Sequence, residues 1–412
     1  MRVLFITSRF PQSLRRGDEQ RAYQHLRELA QRHEITLLAF APDDEESAVT
    51  AEIRRLCKRV VTVQQSAGGR WIRALRALPG SVPLQAAMND TRTFREALTE
   101  LLHTSTFDVA HVLLARLGEM LPLLGSLPCV LDLVDALSVN MARRAHYDAG
   151  PIRLIARFEA ARLLPYERRL CAQVAAAAIS SARDRDALGG DLSTLHVVAN
   201  GIDPDEFAFS TQAREPDRLI FSGNLGYFPN VDAAVWFVRD VFPRVRAQHP
   251  KVELHLVGAR PAIVLRRLAQ AQPGVRLIGP VENMQLHLSR AAVALAPMRA
   301  GSGQQIKILE AMGCGAPVVA TSQATGGLEA VPGRHLLVAD DGQTFADAVS
   351  RLLYDRAFAD ELARNARTLV EQHYTWKGSA ESIEMLWQAA AIGDQTLRKV
   401  SPWPKKCDLY LI

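Results

Sequence analysis

Hydrophobic and polar positions along this chain follow two alternating patterns from the first residue onward. Short apolar runs, typical of buried strands, alternate with longer stretches in which apolar residues recur at helical spacing. This alternation indicates β-α-β units, which build a parallel sheet with helices on its faces. In the first half of the chain the pattern predicts strands at residues 2–6, 35–40, 60–63, 109–112, 130–133, 177–179 and 195–198.

A turn-rich step, Asn200-Gly201-Ile202-Asp203-Pro204, separates the first series of strands from a second one. The second series is predicted at residues 219–221, 253–257, 275–278, 293–296, 318–320 and 336–338. Helices are expected at residues 19–32, 352–373 and 376–392.

A chain of 412 residues is long enough for two domains with separate cores. We therefore predict an α/β protein with two doubly wound Rossmann-like domains facing a cleft. The N-terminal domain is expected at residues 1–203 and the C-terminal domain at residues 204–375. Residues 376–412 are expected to form a helix that returns to the N-terminal domain, followed by a tail.

Composition narrows the class of protein. A hydrophobic content of 48% with 23% charged residues is normal for a globular chain, and no apolar run is long enough to predict a spanning helix. The net charge of +5 favours an anionic partner. Reduced thiols in a cytoplasm are expected, because the five cysteines include no C-x-x-C pair: Cys57, Cys129, Cys171, Cys314 and Cys407.

The passage from Pro297 to Thr321 carries the strongest chemical signal. It has the pattern strand, glycine loop, short helix, glycine stop, strand. Glycines let a ligand approach the backbone closely, and a helix that opens near Gly303 would present N–H groups to an anion such as a diphosphate. The residues expected along this anion-binding loop are Gly301, Ser302, Gly303, Gln304 and Gln305.

Lys307 and Glu310 lie three residues apart on the predicted helix, so both can face the same ligand. Lys307 could neutralise the charge that grows on a departing diphosphate, and Glu310 could accept hydrogen bonds from two ribose hydroxyls. The alternative is an ordinary ion pair on a helix surface.

This passage resembles the signature of bacterial glycosyltransferases with the GT-B fold, in the family 4-like group of retaining enzymes. The resemblance extends over nearly the whole chain, through the Gly17-Asp18 loop, Ser222-Gly223-Asn224 and the helix around Trp376, and is greatest for sugar transferases of exopolysaccharide gene clusters. It implies a hexosyltransferase-like enzyme that uses a nucleoside diphosphate sugar, held mainly by the C-terminal domain, and a hydroxyl acceptor on the N-terminal domain. It implies no cofactor.

The resemblance also implies roles for single residues. Gly17 and Asn224 would lie against the donor phosphates, and Val281 in the loop 279–283 would lie beside the nucleotide base. Ser302 stands where the family often has a glutamate. Asn224 stands where many members have an arginine that binds the diphosphate, and no lysine follows it before Lys251, which leaves Lys307 as the main cation at the leaving group. Two other functions stay open: a catalytically silent partner subunit that binds a sugar nucleotide, and a sugar-nucleotide epimerase.

On the acceptor side, the candidate residues are Asp18, His111 and Asp135. Asp18 could instead cap a helix, and His111 could instead be structural. Asp135 follows a predicted strand at its carboxyl end and could orient or deprotonate the acceptor hydroxyl, with helix capping as the alternative. No D-x-D motif occurs where a metal would bridge a diphosphate, so we predict a metal-independent reaction.

The stretch from Arg70 to Leu78 mixes arginines with apolar residues at helical spacing. This pattern is typical of a helix that lies on an anionic membrane, which would suit a lipid-linked sugar acceptor at the inner face of the cell membrane. The alternative is a solvated helix that packs Trp71 and Leu75 inward. A nucleic-acid partner is not expected, because no recognised binding module accompanies the charge.

Overall fold

The computed structural model describes residues 1–12, 17–42, 48–147, 150–190, 192–210, 214–301 and 303–393. The chain divides into two compact units. The first unit comprises Met1–Ala199 together with the chain from Ser379 onward, and the second unit is Asn200–Gly378. The predicted domain boundary at 203/204 lies four residues after the observed one at 199/200. The predicted boundary at 375/376 lies three residues before the observed one at 378/379.

Within the described residues, the first unit contains a wholly parallel sheet with the strand order β3-β2-β1-β4-β5-β6-β7. All of the strands predicted for this half are confirmed, each to within one residue at either end. They are β1 Arg2–Thr7, β2 Glu34–Phe40, β3 Arg59–Val63, β4 Val109–Leu113, β5 Cys129–Asp132, β6 Ala176–Ile179 and β7 Leu195–Val197.

Helices cover both faces of this sheet. They are α1 Gly17–Leu29, α2 Ala48–Leu56, α3 Ala67–Ala77, α4 Leu84–Asn89, α5 Arg92–Thr104, α6 Leu137–Tyr147, α7 Gly150–Gln173 and α8 Ala182–Leu188, with a 3₁₀ segment at Ala115–Leu124. The odd-numbered positions of β1, such as Phe5, pack with α1 and with Trp387, while Leu4 and Ile6 pack on the opposite face. The alternation of a strand therefore fills two cores.

The second unit repeats this architecture. Its described strands form a parallel sheet in the order β10-β9-β8-β11-β12-β13, and the predicted strands are again confirmed. They are β8 Glu215–Ser222, β9 Glu253–Val257, β10 Val275–Gly279, β11 Ala291–Ala296, β12 Val318–Ala320 and β13 Leu337–Val338.

The helices of the second unit are α9 Phe228–Trp236, a π-helical segment Phe237–Val241, α10 Phe242–Gln248, α11 Ile263–Ala271, α12 Met284–Ser289, α13 Ile306–Gly313, α14 Ser322–Thr325, α15 Gly342–Tyr354 and α16 Arg356–His373. A final helix, α17 Trp376–Ile392, has the predicted bounds and passes into the first unit.

The prediction of one helix over residues 352–373 is wrong. The structure ends α15 at Tyr354 and begins α16 at Arg356. Asp355 separates them, because its carboxylate accepts a hydrogen bond from the backbone N–H of Phe358 at 3.0 Å and so caps the new helix.

Candidate functional site

The candidate site of the second unit lies where the strand order of its sheet reverses. β8 and β11 are neighbours there, because β9 and β10 extend the sheet on one side and β12 and β13 on the other. Gly223 and Asn224 follow β8, and the loop with Gly301 and Gly303 follows β11. Ligands of doubly wound sheets bind in the crevice at this edge. These two loops are therefore the expected walls of a ligand site.

Lys307 lies in the first turn of α13 with its ammonium close to three side chains. Nζ donates a hydrogen bond to Oδ1 of Asn230 at 2.6 Å, and it lies 3.8 Å from Sδ of Met298 and 4.5 Å from the ring centroid of Phe221. Burial lowers the pKa of Lys307 to about 7, while the nearby carboxylate of Glu310 acts in the opposite direction. A buried cation of this kind is stabilised by an incoming anion, so it is suited to bind a phosphate.

The backbone of Gly223 lies directly against this ammonium. A Cβ atom at Gly223 would lie 3.0 Å from Nζ of Lys307 and 3.0 Å from Nδ2 of Asn230. Gly223 also has a φ of +139°, which side chains rarely allow. Just after the neighbouring strand β9, a Cβ at Gly258 would overlap the carbonyl of Gly223. Only glycine fits this part of the loop, because a side chain at Gly223 would crowd the ammonium.

The glycine loop between β11 and α13 is braced by side chains outside it. Nε2 of Gln323 donates to the carbonyl of Gly301 at 3.0 Å, and the guanidinium of Arg299 pairs with Asp232 on α9 at 2.6 Å. Gly301 and Gly303 have φ angles of +112° and +69°. Both angles favour glycine, and the Arg299–Asp232 ion pair connects the loop to α9.

One prediction about this loop needs correction. The helix does not open near Gly303: α13 begins at Ile306, with Gln305 at the N-cap position, because two residues after Gly303 stay non-helical. Gln304 is buried, and its Oε1 accepts a hydrogen bond from the backbone N–H of Asn200 at 2.6 Å. Gln304 therefore braces the loop through Oε1, and its role in donor binding stays a prediction. Ser302 lies outside the described residues.

The remaining donor-binding candidates occupy the same edge of the second sheet. Glu310 is half-buried and lies one helical turn after Lys307. The hydrogen bond of the Lys307 ammonium goes to Asn230. Asn224 is half-buried; its Oδ1 accepts from the N–H of Gly226 at 3.0 Å, and its carbonyl accepts from Asn230. Val281 is half-buried in the loop after β10.

In the first unit, the candidates Gly17 and Asp18 form the start of α1. Gly17 is exposed, and Oδ2 of Asp18 accepts a hydrogen bond from Nη1 of Arg9 at 2.5 Å. Arg9 is also 3.9 Å from Glu19. Asp18 therefore ties α1 to the start of the loop that follows β1.

Asp135 follows β5 at the carboxyl edge of the first sheet and is half-buried. Val134 before it has a φ of +64°, an unusual angle for a β-branched residue that indicates local strain. Burial raises the pKa of Glu167 on α7 to about 7, with Asp135 as a smaller contribution in the same direction. Glu167 also accepts hydrogen bonds from the N–H groups of Leu137 and Ser138, so it caps α6 beside Asp135.

The assignment of His111 to the acceptor site is not supported by its position. His111 is fully buried in β4, its ring stacks on Phe5 at 4.5 Å, and its Nδ1 accepts a hydrogen bond from Nε1 of Trp387 at 3.1 Å. Burial lowers its pKa to about 4, so the ring is neutral near neutral pH. His111 is a structural residue that joins β4 to α17.

Asn230, which holds Lys307, has no local signal in the sequence that marks it as part of the site. It follows Pro229 in the first turn of α9, and locally that pattern shows only where a helix begins. Likewise, nothing local shows that Arg21 of α1 reaches Asp132 at the end of β5, with 2.7 Å between Nε and Oδ2 and both side chains fully buried.

In the part of the chain that the structure describes, no helix is both long and apolar enough to cross a membrane. Among the same residues, no group of three or more His, Cys, Asp or Glu side chains is placed to hold a metal ion.

Comparison with known proteins relates this geometry to one family. Residues 216–355 match the model of the family described as "Glycosyl transferases group 1". This match covers the sheet edge with Gly223, the glycine loop and Lys307. Among curated proteins, an uncharacterized 44.6 kDa protein in the cps region of Klebsiella pneumoniae is 26% identical over 173 residues, covering 40% of this chain and 45% of the relative.

A glycogen synthase of Mycobacterium tuberculosis is 29% identical over 225 residues, covering 50% of this chain and 51% of the relative. The chain thus spans about half the length of these two relatives. Among solved structures, Anabaena HepE in complex with UDP-glucose superposes with a TM-score of 0.64 at 15% identity, covering 94% of this chain and 100% of that one. This similarity shows the fold, and the GT-B prediction is confirmed.

Proposed function

We propose that this GT-B chain, whose residues 216–355 match the glycosyl transferases group 1 family, is a glycosyltransferase acting in polysaccharide or glycolipid synthesis. The enzyme takes a sugar from a nucleoside diphosphate sugar and places it on a hydroxyl acceptor, with retention at the anomeric carbon. The bond between that carbon and the diphosphate oxygen breaks, and a bond to the acceptor oxygen forms. The acceptor proton goes to the leaving diphosphate.

The position of Lys307 is the observation that carries this proposal. Its ammonium lies where the strand order of a doubly wound sheet reverses, against the backbone of Gly223 after β8. Lys307 itself is in the first turn of α13, directly after the glycine loop that follows β11. An ammonium fixed there neutralises charge that develops on a departing diphosphate, without a metal ion. Gly301, Gly303, Gln305 and the backbone at Asn224 would contact the same phosphates.

The remaining donor contacts follow from the same arrangement. Glu310 would accept hydrogen bonds from the ribose, since it lies one turn along α13, and Val281 would lie beside the base. The HepE structure supports a nucleoside diphosphate sugar as the donor, because it holds UDP-glucose within the same fold.

The acceptor is proposed to be a sugar or a lipid-linked sugar, bound by the first unit at the inner face of the cell membrane. Asp18 and Asp135, both at the carboxyl edge of the first sheet, would orient the acceptor hydroxyl. The relative from a cps region supports a role in polysaccharide synthesis.

Purified full-length protein should be tested with a panel of nucleotide-sugars in the presence of a chelator. We expect release of nucleoside diphosphate, and we expect Lys307→Ala to lower its rate roughly 100-fold or more, since one preorganised charge contributes that much. Lys251→Ala removes an exposed lysine of the same unit and serves as the control. A variant at Lys307 with unchanged rate would refute the leaving-group role.

Product analysis separates the other functions. A silent binding subunit would bind nucleoside diphosphate in a thermal-shift assay but would release no product with water or with any acceptor. An epimerase would convert the donor to an isomer of unchanged mass, which mass spectrometry and chromatography together detect. Either result would overturn the transferase proposal.

The acceptor role of Asp135 has a separate test. Asp135→Asn should lower the rate of transfer while leaving nucleotide affinity unchanged, because Asp135 belongs to the unit that does not contain Lys307. Asp186→Asn, at an exposed position of the same unit, is the matched control. Equal loss of transfer in both variants would argue against the assignment.

A further inference from the structure

Exposed hydrophobic side chains of this protein are concentrated on two helices of the first unit. Of the 17 large hydrophobic side chains that are exposed in the described residues, eight lie on α3, just after it, or on the first turns of α7. The eight residues are Trp71, Ile72, Leu75, Leu78, Ile152, Leu154, Ile155 and Phe158. We call them, with the exposed arginines between them, the α3–α7 face.

α3 presents its apolar side chains outward. Trp71 is 67% exposed and Leu75 is 64% exposed, so the inward packing that the sequence left open for these residues is excluded. The helix is held instead by Ala74, which is buried, and by Arg73, whose guanidinium donates to the carbonyl of Met88 at 2.9 Å.

The start of α7 is exposed in the same way. From residue 150 to residue 158 all residues are exposed except Ala156, and Leu154 is 69% exposed. The two helices meet at Arg162, whose guanidinium lies 4.0 Å from the ring centroid of Phe158 and donates to the carbonyls of Ala77 and Leu78. The face is therefore continuous from one helix to the other.

The charge on this face has one sign. Arg70, Arg76, Arg153 and Arg157 are exposed among the apolar residues. Residues 66–83 contain no acidic residue, and the only acid in residues 150–162 is Glu159, which is buried and accepts the N–H groups of Leu84 and Gln85. A patch with large apolar side chains and arginines but no exposed acid matches an anionic lipid surface.

We propose that the α3–α7 face docks the protein on an anionic lipid bilayer, with the apolar side chains in the headgroup region and the arginines on lipid phosphates. A second copy of the chain fits less well, because a two-fold contact would bring arginines of one copy against those of the other. The proposal rests on the proposed function only in that docking would bring a lipid-linked acceptor to the first unit.

Vesicle flotation of the full chain tests the docking. We expect binding to phosphatidylcholine vesicles with about 30 mol% phosphatidylglycerol, weaker binding to pure phosphatidylcholine, and weakening as salt rises from about 0.05 M to about 0.5 M. Equal binding to both kinds of vesicle, or no binding to either, would overturn the proposal.

Two sets of substitutions locate the surface, and each should weaken binding roughly tenfold or more. The apolar set is Trp71→Ser, Leu75→Ser and Leu154→Ser, and the charge set is Arg76→Gln, Arg153→Gln and Arg157→Gln. Matched controls replace exposed residues of the second unit, namely Ile263→Ser, Tyr354→Ser, Arg239→Gln and Arg267→Gln. Unchanged binding in the face variants, or equal loss in the controls, would contradict the assignment.

Two further measurements separate docking on the bilayer from misfolding and from self-association. Trp71 should be quenched by brominated lipid when the protein binds, and Trp71→Phe should remove this quenching while binding persists. Nucleotide affinity in solution should be unchanged in all variants, which shows that they are folded and separates lack of docking from lack of donor binding. A dimer in gel filtration that the face variants dissociate would overturn the proposal in favour of self-association.

Discussion

The ammonium of Lys307 and the side-chain amide of Asn230 are 2.6 Å apart, although 77 positions separate the two residues in the chain. The same amide donates through Nδ2 to the carbonyl of Asn224 at 2.9 Å. Asn230 therefore connects the loop after β8 to the cation of α13. Because its oxygen is neutral, it orients the ammonium without cancelling the charge that a diphosphate would need.

Asn230→Asp should weaken the binding of nucleoside diphosphate roughly tenfold or more, because a carboxylate would form an ion pair with Lys307 and repel the phosphates. Asn230→Ala should weaken it less, since the ammonium loses its orientation but keeps its charge. Titration calorimetry with the nucleotide that binds best in a panel measures both. Gln248→Ala, at the exposed end of α10, is the control, and tighter binding by the aspartate variant would contradict this account.

Binding of nucleoside diphosphate should weaken as pH rises above 7. Burial holds the pKa of Lys307 at about 7 in the free protein, and a bound anion raises it again, so binding takes up a proton above pH 7. Affinity should then fall by up to about tenfold per pH unit. Calorimetry in two buffers of different ionisation enthalpy measures the proton uptake, and Lys307→Gln should abolish it. Affinity independent of pH from 7 to 9 would argue against protonation on binding.

The same pKa affects stability with a definite sign. Since the pKa of Lys307 lies below the ordinary lysine value of 10.5, the unfolded chain binds more protons between pH 7 and pH 10.5. Below pH 7, this lysine therefore lowers the free energy of unfolding of the ligand-free second unit by its full amount. Between pH 7 and pH 10.5 this destabilisation decreases, so the free energy of unfolding rises with pH.

Gly223→Ala should remove most nucleotide affinity, because its Cβ would lie 3.0 Å from the ammonium of Lys307 and the backbone angle would be strained. Gly333→Ala is the matched control: Gly333 also has a positive φ, +80°, but a Cβ there meets nothing within 4 Å. Both variants should lose roughly 1 kcal/mol of stability from backbone strain. Only Gly223→Ala should lose affinity, and equal affinities in the two variants would refute the contact.

Trp387→Phe should lower the free energy of unfolding of the first unit by about 1–3 kcal/mol, because the buried Nδ1 of His111 loses its donor. Trp71→Phe, at an exposed position of the same unit, should change it little. Chemical denaturation followed by circular dichroism measures both variants. Unchanged stability together with impaired transfer would restore His111 as a candidate for the acceptor site.

Much of the fold could be predicted because its signals are local. An apolar run such as Val318–Ala320 indicates a buried strand in any fold, since strand and helix periodicities are properties of neighbouring residues. The break at Asp355 was missed because one capping carboxylate, rather than a change of periodicity, ends one helix and begins the next.

The sequence by itself determined two parallel α/β sheets, the glycine loop before Lys307 and the presence of a cation and a carboxylate one turn apart. Tertiary structure alone decided what surrounds them: Asn230 at Lys307, Asn200 at Gln304 and Trp387 at His111, partners that lie between 77 and 276 positions away. It also decided that Trp71 faces outward. Burial, pKa and hydrogen-bond partners depend on which elements pack together, and no local pattern records that.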